Sequence, residues 1–263
     1  MALTLGQGLL ILIVGFICSI DQQTEAFYWF RPMVCTFFTG IILGNPVLGV
    51  QCGVVTELAY LGMTNVGGTV PPDPLFAGVM TVVLAYTTGQ SPEAALGLSY
   101  PFALLAQAVG ILFNTVYSFV PERLDVCAKE GDVKKFNSTV ITATLFKSVV
   151  VAFLLFLCSY ALQGPIQVFV NSFPQWVIHG LEVAGGILPA VGLSMLLLTT
   201  LKPETYPYLA LGFIMATFLT MPNVLPVAIA GAALAYIDYS HQKKLDDAVA
   251  NAQLNDGGDI DGI

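Results

Sequence analysis

The chain has 263 residues, of which 56% are hydrophobic and 10% charged, and its mean hydropathy is +0.79. A soluble domain carries about 25% charged residues, so this composition excludes one and points to a polytopic membrane protein. The formal charge of −8 is weighted toward a tail containing Asp246, Asp247, Asp256, Asp259 and Asp261, and no basic surface for nucleic acid can be drawn from the sequence.

A membrane-crossing helix needs about 20 apolar residues. Residues 3–20 supply the first; the stretch has no basic leader and no small-residue cleavage site, so it reads as a retained membrane helix. The next two apolar segments, 33–44 and 46–61, are each too short to span and are separated by GNP at 44–46. Short apolar segments broken by Gly and Pro predict re-entrant or discontinuous helices, which are tolerated where they line a protein-walled cavity. Further spans are expected at 75–90, 95–120, 138–162, 181–201, 204–220 and 223–239. The piece 163–180 reads as an interfacial segment with Trp176 at headgroup depth, and 241–263 as an acidic, disordered tail.

Positive charge divides the chain. Between Arg31 and Arg123 lie 91 residues without a single Lys or Arg. The expected organisation is a charge-poor half, 1–120, a cytoplasmic loop, 121–136, a second membrane half, 137–240, and the tail, 241–263. The loop PERLDVCAKEGDVKKF and the C-terminal Lys243 and Lys244 belong on the cytoplasmic side, and the four spans between them return the chain to that side.

Catalytic machinery is not expected. Cys18, Cys35, Cys52, Cys127 and Cys158 show no CxxC or Cys/His spacing, so neither a disulfide framework nor a metal site is anticipated. His179 and His241 have no Ser, Cys or Asp partner of the kind nucleophilic catalysis requires. No phosphate-binding loop, dinucleotide fingerprint or HExxH is present, so no cofactor is expected.

The polar residues in apolar surroundings are more informative. Asp21 and Glu25 are four apart, on one helix face if the first helix extends that far, with Gln22 beside them. They read either as part of a binding site or as a solvated helix end in which Arg31 pairs with one acid. Glu57 lies inside the apolar run VVTELAYL; an acid there faces a cavity or is held protonated against a neighbouring carbonyl. Asn65 and Asp73 bracket GGTVPP, whose prolines forbid a continuous helix and whose glycines let backbone approach a ligand. Carboxylates, amides and freed carbonyls suit a polyhydroxylated solute, with Tyr60, Phe27, Tyr28 or Trp29 available to stack on a sugar ring. A plain turn outside the membrane is the other reading of 62–74. Arg31, the sole basic residue of the first half, leaves no evident clamp for a substrate phosphate. At this level the chain could be a sugar permease, a stand-alone ion-coupled transporter using Glu57 or the Asp21/Glu25 pair, or a membrane scaffold.

The segments FRPMVCTFFTGIILGN (30–45), TELAYLGMTNVGGTVPPDP (56–74), HGLEVAGGILPAVG (179–192) and NVLPVAIAGAALA (223–235) together resemble the IIC membrane subunit of the mannose/sorbose family of bacterial phosphotransferase systems. ELAYLG followed by GG, PP and HGLEVAGGILPAVG is most similar to the N-acetylgalactosamine/galactosamine branch. The resemblance implies an all-α multi-pass fold in the bacterial inner membrane, with inverted pseudo-symmetry to a second membrane subunit, IID. It implies trimers of IIC–IID pairs and an elevator-like movement. Phosphorylation of the incoming sugar would fall to IIA and IIB phosphocarriers, with IIC itself neither catalytic nor phosphorylated. Carried onto this sequence, the family's polar motif falls on Glu57, Asn65, Pro72 and Asp73, with the acidic segment at Asp21 and Glu25; the expected substrate-binding residues are Asp21, Gln22, Glu25, Glu57, Asn65 and Asp73.

Overall fold

The computed structural model describes residues 2–63, 70–161, 164–165, 168, 172–218 and 225–256. Among these residues there is no strand, and the chain divides into two compact units, Met1–Thr199 and Thr200–Ile263. The all-α expectation holds. Among the described residues, four helices are long and apolar enough to cross a membrane: Leu5–Thr24, Pro92–Val116, Val133–Ala161 (including a terminal π turn) and Gln175–Thr200.

Local chemistry sets the helix starts. Helix α1 (Leu5–Thr24) opens on a capping box, in which Gln7 N–H donates to the Thr4 hydroxyl at 3.3 Å and Thr4 N–H donates to the Gln7 side chain. Helices α2 (Pro32–Ile42), α3 (Pro46–Tyr60), α4 (Pro74–Thr88) and α5 (Pro92–Val116) each begin with Pro in the first turn. There the missing N–H is no loss and the fixed φ suits the helix. Asn45, Asp73 and Ser91 cap the last three through their side chains.

The awkward pair 33–44 and 46–61 forms a tight helical hairpin. Gly44 turns the chain with φ +76, and α3 folds back along α2. A methyl group on Gly40 would lie 2.7 Å from Gly49 Cα, and one on Gly49 would lie 2.6 Å from Thr36 O, so the two backbones touch where both glycines occur. The 15 residues of α3 extend about 22 Å, short of the roughly 30 Å hydrocarbon core, as the break at GNP predicts.

Helix α4 changes one expectation. Residues 75–90 read as a shorter membrane span, yet Leu75 through Ala85 are all buried and the helix is the centre of the first unit, against α2, α3 and α5. A helix apolar all round is one surrounded by protein or lipid, and here α2, α3 and α5 pack against it. The division at 120/137 is one of charge rather than of packing, because α1 lies along α7 (Val133–Phe156).

Three other segments differ from expectation. The 121–136 connection is mostly helix, α6 (Phe119–Glu130), ended by Gly131 at φ +69 before Asp132 caps α7. The interfacial piece gives way to helix at Gln175, so Trp176 and His179 lie in the first turns of α8 (Gln175–Thr200); half of the part before it falls outside the described residues. In the second unit, α9 (Tyr206–Phe218) has 13 residues, about 20 Å, so it does not cross a membrane by length alone. Helix α10 runs from Leu225 to Asp256, so residues 241–256 are helical where disorder was expected; apolar and polar composition reads the tail as unstructured, whereas a helix already begun propagates at little cost.

Glycine also brings α8 close to its neighbours. A methyl on Gly185 would collide with Glu93 O, one on Gly192 with Leu58 O, and one on Gly97 would lie 3.0 Å from Leu181 O.

Candidate functional site

The first unit holds a partly open cavity of about 790 Å³, within the range of small-molecule sites. It lies where the end of α1, the 25–31 turn, the 70–76 segment, α5 and α7 meet. Its polar lining includes Gln22, Tyr60, Asp73, Gln107 and Lys147.

Asp73 is the centre of this arrangement. One carboxylate oxygen accepts from Phe76 N–H at 2.9 Å, capping α4, and the other accepts from Gln22 Nε2 at 3.0 Å. The broken backbone before α4 is held by α5: Asp73 N–H donates to Ala103 O at 3.2 Å, and Gln107 Nε2 donates to Val70 O. Proline at 71, 72 and 74 removes three donors from this stretch, and α5 supplies part of what the missing helix would have. On the far wall, Gln23 Nε2 donates to Ser148 Oγ at 2.8 Å, fixing α1 against α7. Thr144, Lys147, Val151 and Leu154, spaced by three and four residues, form one stripe of α7 along the cavity.

Tyr60 adds an unsatisfied group. Its side chain is 2% exposed and lines the cavity, and its hydroxyl has no hydrogen-bond partner among the described residues. Leaving such a group unpaired costs about 1–3 kcal/mol.

The expected site residues fall into three groups. Gln22, Glu25 and Asp73 line the cavity together. Asp21 does not: it is buried, and its two carboxylate oxygens accept from Phe27 N–H at 2.8 Å and Trp29 N–H at 2.5 Å. It braces a turn in which Glu25 and Tyr28 hold φ of 49° and 59°, left-handed values that non-glycine residues adopt at a penalty. Glu57 does not line the cavity either. Its Oε1 accepts from Arg31 Nε at 2.8 Å and from Arg31 Nη2, and its Oε2 accepts from Met33 N–H at 3.2 Å. Arg31 therefore pairs with neither Asp21 nor Glu25, and it is Arg31, not Glu57, that reaches the cavity wall. Asn65 lies outside the described residues.

Sequence reasoning passed over Gln107 and Lys147. Lys147 also alters the expectation of a cavity without a cationic clamp, because Arg31 and Lys147 both contribute to the wall. A lysine inside the apolar run 138–162 was the available signal, since a charge at that depth is a functional candidate by default. Gln107 carried no comparable mark.

The family model described as the sorbose-specific IIC component of the phosphotransferase system matches residues 5–237. The chain belongs to the mannose/sorbose family of phosphotransferase-system IIC subunits. It is 42% identical over 241 residues to the N-acetylgalactosamine permease IIC component 1 of Escherichia coli K12, covering 92% of this chain and 90% of that protein. The mannose-specific EIIC component of the same organism is 26% identical, with 99% and 98% covered. The fructose permease IIC component of Bacillus subtilis 168 is 28% identical, with 97% and 94% covered. Among solved structures, one described only as a membrane protein superposes with a TM-score of 0.81 at 25% identity, covering 90% of this chain and 96% of that one. The mannose transporter ManYZ in complex with microcin E492 superposes with a TM-score of 0.58 at 26% identity, covering 91% and 97%. This IIC subunit is thus a sugar-permease component with the helical membrane fold of its family.

Proposed function

We propose that this IIC subunit imports N-acetylgalactosamine, with galactosamine as the alternative hexosamine, in step with phosphorylation of the sugar. The observation that carries the reading is the 42% identity, over 92% of the chain, to an N-acetylgalactosamine permease IIC component. The cavity supports it chemically. Gln22, Gln107 and Asp73 present acceptors and donors to hydroxyls and an acetamido group. The chain has no catalytic residue of its own in this scheme; IIA and IIB carry the phosphoryl group.

The working unit is a pair with IID, related to it by inverted pseudo-symmetry, and three pairs form the assembly. The unit around α4 moves as an elevator relative to its surroundings. The complex lies in the bacterial inner membrane with the C-terminus of IIC in the cytoplasm. The Arg31–Glu57 pair commits Glu57 to a structural contact, which speaks against its use as a free carrier of protons in a stand-alone transporter.

Uptake tests the reading. In cells lacking their own permease, this chain with its IID, IIA and IIB partners should accumulate labelled N-acetylgalactosamine as its phosphate ester. Failure to accumulate it, with mannose taken up instead, would overturn the substrate and leave the family standing. Uptake by this chain alone, driven by an ion gradient, would replace the whole scheme.

A further inference from the structure

The charges on the cavity wall are not equivalent. Four described residues carry them: Glu25, Arg31, Asp73 and Lys147. Arg31 is committed to Glu57, and Glu25 is exposed on the turn after α1. Asp73 and Lys147 remain, one from the segment before α4 and one from α7, both lining the one cavity. Lys147 is half-buried and takes part in no ion pair among the described residues. Its place is built rather than incidental. Gln23 binds both Thr144 O, at 3.4 Å, and Ser148 Oγ on either side of it, which fixes that turn of α7 against α1. The neighbouring Gln22 meanwhile holds Asp73. Two adjacent glutamines of α1 therefore tie Asp73 and the α7 turn that carries Lys147 to the same cavity.

We propose that Lys147 is a specificity-determining residue of the cavity, whose ammonium group selects neutral sugars, including N-acylated amino sugars, against sugars bearing a free protonated amine. The inference rests on the hexosamine-permease reading and narrows its substrate. Without Lys147, the unneutralised Asp73 carboxylate would attract a cationic amine in surroundings where charge is poorly screened. With Lys147 present, that attraction is offset and an incoming ammonium meets a like charge, while still losing its own hydration. A neutral acetamido group meets neither repulsion nor a comparable desolvation loss, and it can accept from the lysine and donate to the carboxylate.

Competition binding decides it. Membranes containing this chain with its IID subunit are loaded with labelled N-acetylgalactosamine at about pH 6.5, where a sugar amine is protonated. Unlabelled N-acetylgalactosamine and galactosamine then compete. In the wild type, galactosamine should be the weaker competitor, and Lys147→Gln should narrow the gap by about tenfold or more, whereas Lys147→Arg should preserve it. An unchanged ratio in Lys147→Gln overturns the inference. If that variant does not accumulate, Lys147→Met replaces it with the same expected narrowing; in the wild type, raising the pH to about 9 neutralises the sugar amine and should strengthen galactosamine relative to N-acetylgalactosamine. A relative potency that does not rise overturns the inference equally. Absence of specific N-acetylgalactosamine binding by the wild type is a different failure, because it removes the hexosamine reading itself.

Discussion

Arg31 and Glu57, 26 residues apart, form an ion pair that ties the entry of α2 to the last turn of α3. Glu57 also accepts from Met33 N–H at 3.2 Å, one of the donors that the start of α2 leaves without an intrahelical acceptor. One carboxylate thus closes the open end of the hairpin that Gly44 begins. The side chains are 29% and 21% exposed, between the fully screened and fully buried cases.

Breaking that pair should weaken the protein from either side. Glu57→Gln or Arg31→Gln should each lower stability by about 1–3 kcal/mol, between surface and buried limits, and the double substitution should lose less than the sum. Glu57→Gln should also reduce sugar uptake strongly, because an unpaired Arg31 is left on the cavity wall. Thermal unfolding of purified protein gives the cycle, and uptake gives the second effect. Strict additivity of the two substitutions would show that the pair contributes nothing.

Asp73 combines two roles that substitution can separate. Asn is as good an N-cap as Asp, so Asp73→Asn should unfold within about 0.5 kcal/mol of the wild type. It removes the carboxylate charge from the cavity, and sugar binding should fall by about tenfold or more, the scale of losing one charged hydrogen bond. Asp73→Ala should lose the cap as well, about 1 kcal/mol further. Wild-type uptake by a correctly inserted Asp73→Asn protein would remove this acid from the sugar site.

Two glycines on α8 make a matched control. Ala is intrinsically better than Gly within a helix by about 1 kcal/mol, which favours both Gly186→Ala and Gly192→Ala equally. Among the described residues nothing lies within 4 Å of a methyl at Gly186, whereas a methyl at 192 would collide with Leu58 O and lie 2.7 Å from Ala59 O. Gly186→Ala should therefore be neutral or stabilising, and Gly192→Ala destabilising by about 1–3 kcal/mol through displacement of α8. Equal melting temperatures for the two variants would disprove that close approach.

Orientation can be read by labelling. With the 121–136 segment cytoplasmic, a cysteine at Lys134 of a cysteine-free variant should resist a membrane-impermeant maleimide in intact cells. A cysteine replacing the exposed Trp176 should react. The reverse pattern would invert the topology.

Hydropathy and the punctuation of the chain by Gly and Pro were sufficient for several features. The helical membrane class, the broken pair around GNP, the interrupted backbone before Asp73 and the family motifs all depend on residues close in sequence. Their physical causes are equally local: a proline without an N–H, a glycine at positive φ, an apolar run too short to span. What the acids do was not legible in the same way. Asp21 and Glu57 share the composition of site residues, yet one accepts two backbone N–H groups from the next turn and the other is taken by Arg31. Only tertiary packing decided this, because a carboxylate's role follows from which donors reach it in three dimensions. The same holds for Lys147, brought to the same cavity as Asp73, 74 residues away, by the packing of α1 on α7. A sequence records the presence of both charges; their separation, and so their interaction, belongs to the folded chain.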